Sequence, residues 1–143
     1  MSIQPIEVTP GIWRGPQPKT DADFEALTNL GINNLLDLET GAPLLADGSP
    51  LEESLLVRSK GMTSYAHPLG ELFPPTQKEL ALALKFMMSE GNVYVHCKAG
   101  VDRTGMVIAY FRMHQQSWSK KDAIAEMKRM GTHIWYYWWA WFL

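Results

Sequence analysis

A ten-residue stretch separates two apolar segments of the chain and predicts how they are connected: His96-Cys97-Lys98-Ala99-Gly100-Val101-Asp102-Arg103-Thr104-Gly105. It follows a short apolar run, residues 93–95, and leads into a largely apolar segment, residues 104–116. The run predicts a buried strand and the segment predicts a helix, so the quoted residues form the turn between them. We call residues 96–105 the cysteine loop.

The composition of the cysteine loop favours a reactive thiolate at Cys97. A helix N-terminus presents unpaired N–H groups and a partial positive charge, and Arg103 adds a full positive charge. Both lower the pKa of a thiol from its free value of about 8.5. Backbone N–H groups of a curled loop form an anion-binding nest, and a planar guanidinium can meet two phosphate oxygens at once. The loop therefore predicts a nucleophile and an oxyanion cradle within one segment.

Outward from this loop, strand patterns alternate with helix patterns. Strands are predicted at residues 6–8, 12–14, 32–38, 62–65 and 93–95. Helices are predicted to begin at Thr20, Ser49, Thr76 and Ser119, each with an acidic residue three positions later, and to end at Gly31, Gly61, Gly91 and Gly131. The buried face of the helix after Thr76 is assigned to Leu80, Leu82, Leu84, Phe86 and Met87. This alternation predicts an α/β fold with a central, mostly parallel sheet flanked by helices.

Composition limits the possible functions of the chain. Its 143 residues predict a single domain over residues 1–143, with 46% hydrophobic residues and a net charge of −2. That charge provides no overall field for nucleic acid or an anionic membrane. With one cysteine and four dispersed histidines, we expect no disulfide, no metal site and no cofactor. No signal peptide or membrane-spanning run is evident, so we expect a cytoplasmic protein with no membrane span.

The pattern H-C-x-x-G-x-x-R-[ST]-G in the cysteine loop resembles the signature of the cysteine-based protein tyrosine phosphatase superfamily. By ordinary residue frequencies such a match has a chance probability on the order of one in a million. Residues 13–18, 30–38 and 122–124 also resemble segments of its small members. The chain is similar to the minimal dual-specificity branch, and also to protein-tyrosine-phosphatase-like phytases and inositide phosphatases. The resemblance implies a dual-specificity-phosphatase-like fold.

The resemblance also implies a metal-independent phosphoric monoester hydrolase that works through a cysteinyl-phosphate. In it, Cys97 is the nucleophile, Thr104 assists departure of the thiolate, and His96 orients the loop. The phosphate group is held by the segment that consists of Lys98, Ala99, Gly100, Val101, Asp102 and Arg103.

The general acid of this superfamily is an Asp about thirty residues before the cysteine, and residues 65–75 contain none. Glu71 is the first candidate because it lies in the corresponding loop, just before an aromatic residue and two prolines. His67 is the second candidate and Asp102 the third. A proton donor is needed most when the leaving group is a poor one.

The substrate is predicted to be an inositol polyphosphate, of the phytate kind. Lys98 is placed to contact extra phosphates on the ring, and Arg14, Lys19 and Lys78 are cations that could reach the rim of the pocket. The alternatives are a dual-specificity or tyrosine protein phosphatase, whose partner is a phosphoprotein, and a catalytically inactive phosphate-binding module. A redox sensor is disfavoured because no second cysteine exists. The tryptophan-rich residues 133–143 are expected to dock on the domain or on a second subunit.

Overall fold

The structure is a computed structural model, and it describes residues 3–39, 61–69 and 74–140. Glu71 and the helix predicted to begin at Ser49 lie outside the described residues. Within them the strands are β1 Ile6–Thr9, β2 Ile12–Gly15, β3 Asn34–Asp37, β4 Thr63–Ala66 and β5 Val93–His96. The helices are α1 Asp21–Asn29, α2 Gln77–Glu90, α3 Asp102–Gln115, α4 Lys120–Arg129 and α5 Ile134–Ala140.

The five strands form one sheet in the order β1-β2-β5-β3-β4. Only the β1–β2 pair is antiparallel, whereas β2–β5, β5–β3 and β3–β4 are parallel. The predicted α/β fold with a mostly parallel, helix-flanked sheet is confirmed. Strand β5 occupies the centre of the sheet, so the residues that follow it lie at the middle of the carboxyl edge.

Apolar side chains on the two faces of the sheet form two cores, because neighbouring strand residues point to opposite sides. On one face, Leu35 and Tyr94 pack with Phe24 and Leu27 of α1. On the other face, a larger cluster joins Leu36, Val93 and Val95 to residues of α2, α3, α4 and α5. The sheet is therefore covered on both sides, as parallel sheets require.

Helix starts follow the capping patterns of the sequence. Thr20 and Thr76 each form a capping box with the acidic residue three positions later, and Ser119 caps α4 by accepting from the Asp122 N–H. These contacts lie within one turn of chain, which is why short patterns predict them. Helix α3 begins at Asp102, two residues earlier than the apolar pattern indicates.

The prediction that Leu82 belongs to the buried face of α2 is wrong. Its side chain is 49% exposed, whereas Leu80, Ala83 and Met87 are buried. The buried positions follow the helical spacing of three and four residues, and a residue two positions after Leu80 points to the opposite side. Helix α2 has more apolar residues than positions on its buried face, so Leu82 lies on the exposed face.

The tryptophan-rich segment of residues 133–143, here called the aromatic tail, packs on the domain through some of its described residues. Tyr136 and Ala140 of α5 are buried in the larger core, and Trp139 is partly buried against it. Ile134 and Trp138 face outward, 57% and 65% exposed. The expected docking of the tail on its own domain is thus observed at Tyr136, Trp139 and Ala140. Among the residues that the structure describes, no helix is long and apolar enough to cross a membrane.

Candidate active site

The cysteine loop lies where the topology places ligand sites. It follows β5, whose neighbours on both sides are the parallel strands β2 and β3, and it runs into α3. Cys97, Arg103 and Thr104 are 2%, 6% and 0% exposed. The loop therefore gathers a thiol, a guanidinium and a hydroxyl at the carboxyl end of the central strand.

The thiol of Cys97 is surrounded by donors. The Thr104 hydroxyl donates to Sγ over 3.2 Å, and the backbone N–H groups of Thr104 and Gly100 also donate to the sulfur. Burial raises the pKa of the Cys97 thiol, but these hydrogen bonds and the positive charge of Arg103 outweigh it. The pKa of Cys97 consequently lies below its ordinary value, which favours the nucleophilic thiolate.

Helix α3 directs uncapped amides at this thiol. Val101 occupies the N-cap position and makes no side-chain capping hydrogen bond, whereas Thr20, Thr76 and Ser119 cap their own helices. The first N–H groups of a helix need an external acceptor. At α3 the acceptors suited to them are the thiolate and an anion bound beside it.

Glycine is required at position 100 for two reasons. Its φ of +75° is costly for other residues, and a Cβ there would collide with the backbone of Gly15 and Pro16. The loop therefore packs its backbone directly against the end of β2. The Gln17 N–H donates to the Lys98 carbonyl over 3.1 Å, and this bond joins the same two segments.

The other predicted members of the loop have supporting contacts. His96 is fully buried, with Nδ1 3.2 Å from the Cys97 carbonyl oxygen and 3.8 Å from Oδ1 of Asp37. The Arg103 Nη1 donates to the Leu38 carbonyl over 3.5 Å. The end of β3 thus lies against His96 and Arg103, and it supports the loop from the side opposite β2.

Two of the three general-acid candidates, His67 and Asp102, lie in the described part of the chain, and both make close polar contacts with other residues. The ring Nε2 of His67 is 2.7 Å from the Glu79 carbonyl oxygen. The Asp102 Oδ1 accepts a hydrogen bond from the His133 N–H over 2.8 Å, and its Oδ2 lies 2.7 Å from the His133 Nδ1. The Asp102 side chain thus contacts His133 through both of its oxygens. Glu71 lies outside the described residues.

The predicted rim cations separate into two groups. Lys98, Lys19 and Lys78 are exposed. The expectation that Arg14 reaches the rim is wrong, because Arg14 is 2% exposed and its Nη2 donates to the Gly100 carbonyl over 3.1 Å. Its position on β2, opposite Val95 of β5, directs it beneath the cysteine loop.

Two groupings near the loop were not foreseen from the sequence. One is the Asp102–His133 pair, which joins the start of α3 to the start of the aromatic tail. The other consists of Asp37, Glu39 and His96, whose ligand atoms lie within 4.8 Å of one another and could hold a cation. Only an alignment of β3 with β5 could have suggested the second group, since Asp37 pairs with His96 across the sheet.

Known proteins resemble the chain in fold. The catalytic core of the PP-IP phosphatase SIW14 from S. cerevisiae superposes with a TM-score of 0.78, at 22% identity over 91% of this chain and 77% of that one. P. aeruginosa TpbA superposes with a TM-score of 0.74, at 21% identity over 90% and 74% of the two chains.

A relative by sequence is the mouse phosphatidylglycerophosphatase and protein-tyrosine phosphatase 1. It is 35% identical over 57 residues, which are 40% of this chain and 30% of the mouse protein. The chain therefore matches less than a third of that relative. Residues 8–132 match the family model PTP-SAK, described as a Swiss Army Knife protein, DSP-PTPase phosphatase domain. Since that match spans most of the chain and includes the whole cysteine loop, the protein belongs to the PTP-SAK family, within the cysteine-based protein tyrosine phosphatase superfamily.

Proposed function

We propose that the protein is a cysteine-dependent phosphomonoester phosphatase whose preferred substrates are inositol polyphosphates. The catalytic part of the proposal rests on the surroundings of Cys97. Its sulfur lies 3.2 Å from the Thr104 hydroxyl, and hydrogen bonds from Thr104 and Gly100 together with the charge of Arg103 lower the pKa of its thiol. Family membership supports it, since the matching model is a phosphatase domain.

In the proposed reaction, the Cys97 thiolate attacks phosphorus and the bond to the leaving oxygen breaks. Arg103 and the loop amides hold the equatorial oxygens, and the general acid protonates the leaving group. The general acid, now deprotonated, then takes a proton from water as the water oxygen attacks the cysteinyl-phosphate, the S–P bond breaks, and inorganic phosphate and the Cys97 thiolate are released. The Thr104 hydroxyl stabilises the departing thiolate. Each step uses groups of this chain and one water molecule.

A substrate panel tests the proposal. Phosphate release is measured for p-nitrophenyl phosphate, a phosphotyrosine peptide, phosphoinositide vesicles, inositol hexakisphosphate and a nucleotide. We expect the highest kcat/KM for the inositol polyphosphate. Turnover of the peptide that is orders of magnitude faster would instead assign a protein phosphatase, which the names of the mouse and Pseudomonas relatives favour. Binding of inorganic phosphate without any turnover would assign an inactive phosphate-binding module.

Lys98→Ala tests the substrate class. Lys98 is exposed and directly follows the nucleophile, which supports a contact between its ammonium and a second ring phosphate. We expect the KM for inositol hexakisphosphate to rise about fivefold, which corresponds to an exposed charge contact. The KM for p-nitrophenyl phosphate should hardly change. Lys121→Ala, an exposed lysine in the first turn of α4, is the matched control. Equal changes for both substrates would remove Lys98 from ring recognition.

Thr104→Ala tests the second step. Without the hydroxyl, the pKa of Cys97 rises, so less thiolate is present at neutral pH and the acid limb of kcat/KM moves to higher pH. Loss of a hydrogen bond to a charged group costs about 2 kcal/mol, or roughly 30-fold in breakdown of the intermediate. We expect a burst of p-nitrophenol in stopped-flow measurements. Thr104→Ser keeps the hydroxyl and should behave as the parent; a Ser variant as slow as the Ala variant would contradict this role.

Glu71→Gln tests the general acid. An alkyl phosphate needs a proton on its leaving oxygen, whereas p-nitrophenolate leaves without one. We expect roughly 100-fold slower hydrolysis of alkyl phosphates and little change for p-nitrophenyl phosphate. Glu25→Gln, an exposed glutamate of α1, is the control. Equal effects on both substrates would exclude Glu71 and direct attention to His67 or Asp102.

A further inference from the structure

The carbonyl groups of the cysteine loop are held from its outer side. Four contacts do this: His96 Nδ1 lies 3.2 Å from the Cys97 oxygen, Gln17 N 3.1 Å from that of Lys98, Arg14 Nη2 3.1 Å from that of Gly100, and Thr132 Oγ1 3.1 Å from that of Val101. A peptide unit is planar, so its C=O and the N–H of the next residue point in opposite directions. Donors on the outside therefore turn the loop amides inward, toward a bound anion.

Arg14 stands out among these donors because it is a buried charge. Its guanidinium is 2% exposed and contacts Gly100, a residue 86 positions away in the chain. Burying a cation is costly unless it is paired and hydrogen-bonded. A role that only required a donor could be filled by a neutral side chain. The charge itself therefore calls for an explanation.

The electrostatic surroundings of Arg14 provide one. Burial lowers the pKa of Arg14, while the negative charges of Glu126 and of the Cys97 thiolate raise it and that of Arg112 lowers it. Glu126 is itself held by Arg112 through two hydrogen bonds of 3.0 Å. Glu126 thus offsets the burial of Arg14 and keeps a partner of its own. The thiolate is the other anion that interacts with Arg14.

We propose that Arg14 is a positioning residue, which holds the Gly100 carbonyl so that the Val101 amide faces the bound phosphoryl group. Its guanidinium is hydrogen-bonded to Gly100, whose own N–H donates to the Cys97 sulfur, so the same contact also favours the anionic form of Cys97. Arg103 and Arg14 then act from opposite sides, Arg103 on the substrate and Arg14 on the loop. This role applies to any phosphomonoester and does not depend on the inositol phosphate proposal.

Arg14→Met and Arg14→Lys test it with two readouts that need no turnover. One is the Kd of tungstate, a non-hydrolysable oxyanion, and the other is the pH midpoint of Cys97 alkylation by iodoacetamide. We expect Arg14→Met to weaken tungstate binding at least tenfold and to raise the midpoint by roughly one pH unit. Arg14→Lys keeps the charge but lacks the planar fork. Its alkylation midpoint should therefore lie close to that of the parent, whereas its tungstate affinity should lie between those of the parent and Arg14→Met.

Arg112→Met is the matched control, because it removes the other arginine of the Glu126 network and leaves the loop contacts in place. It should lower the Tm while tungstate affinity and the alkylation midpoint stay near those of the parent. If Arg14→Met does not fold, Arg14→Gln replaces it, since its shorter side chain removes the charge and keeps a polar amide at the buried position. Parent-like affinity and midpoint in the Arg14 variants, or equal losses in Arg112→Met, would overturn the proposal and leave Arg14 a purely structural residue.

Discussion

Cys97→Ser is expected to reduce kcat for p-nitrophenyl phosphate by roughly 10⁴-fold or more while substrate binding is largely retained. The pKa of a serine hydroxyl is far above that of a thiol, and the surroundings of Cys97 lower the pKa of its thiol further. The donors that favour the thiolate cannot compensate for that difference. The proposed anion cradle, in contrast, consists of backbone amides and Arg103, and the substitution removes neither.

Isothermal titration with inorganic phosphate separates chemistry from binding in this variant. The Kd for phosphate should stay within about threefold of the parent value, since the loop carbonyls keep their outer donors. Activity within tenfold of the parent would exclude a cysteinyl-phosphate intermediate. Loss of phosphate binding together with activity would contradict a cradle that exists without the sulfur.

The local parts of this fold were predictable from sequence because their determinants lie within a few residues of one another. The capping boxes at Thr20 and Thr76 are formed by side chains three positions apart. The 3.2 Å contact between Cys97 and Thr104 likewise spans a single turn of loop and the start of a helix. The residue spacing in the cysteine loop therefore carries most of the geometry of the site.

Contacts set by strand register were not predictable. Arg14 was expected to reach the rim as one of three nearby cations, but pairing of β2 with the central strand β5 buries it. The Asp102–His133 pair joins residues 31 positions apart, and no short pattern indicates it. Leu82 illustrates the opposite case, in which an apolar residue was assigned to the core although the helical spacing points it outward. Strand pairing therefore decides the burial of Arg14 and helical spacing decides the exposure of Leu82, and residue type decides neither.

Arg103→Lys is expected to lower kcat/KM for every phosphomonoester by roughly 10³-fold, although the positive charge is kept. In the transition state, charge develops on the equatorial oxygens of the phosphoryl group, and a guanidinium can hold two of them at once. An ammonium is a point charge that meets one. Arg103 is 6% exposed and its Nη1 donates over 3.5 Å to the carbonyl of Leu38, which directly follows β3, and this contact favours one orientation of the fork.

Comparison of three variants separates geometry from charge at this position. Arg103→Met loses the charge and the planar fork, so it should be slower than Arg103→Lys. Arg129 is an exposed arginine at the end of α4, and Arg129→Lys should match the parent. The tungstate Kd of Arg103→Lys should rise by a smaller factor than kcat/KM falls, because the second contact gains strength only in the transition state. Equal losses in affinity and in kcat/KM would mean that Arg103 binds ground state and transition state alike. Activity of Arg103→Lys within tenfold of the parent would show that charge alone suffices and that the planar fork has no catalytic role.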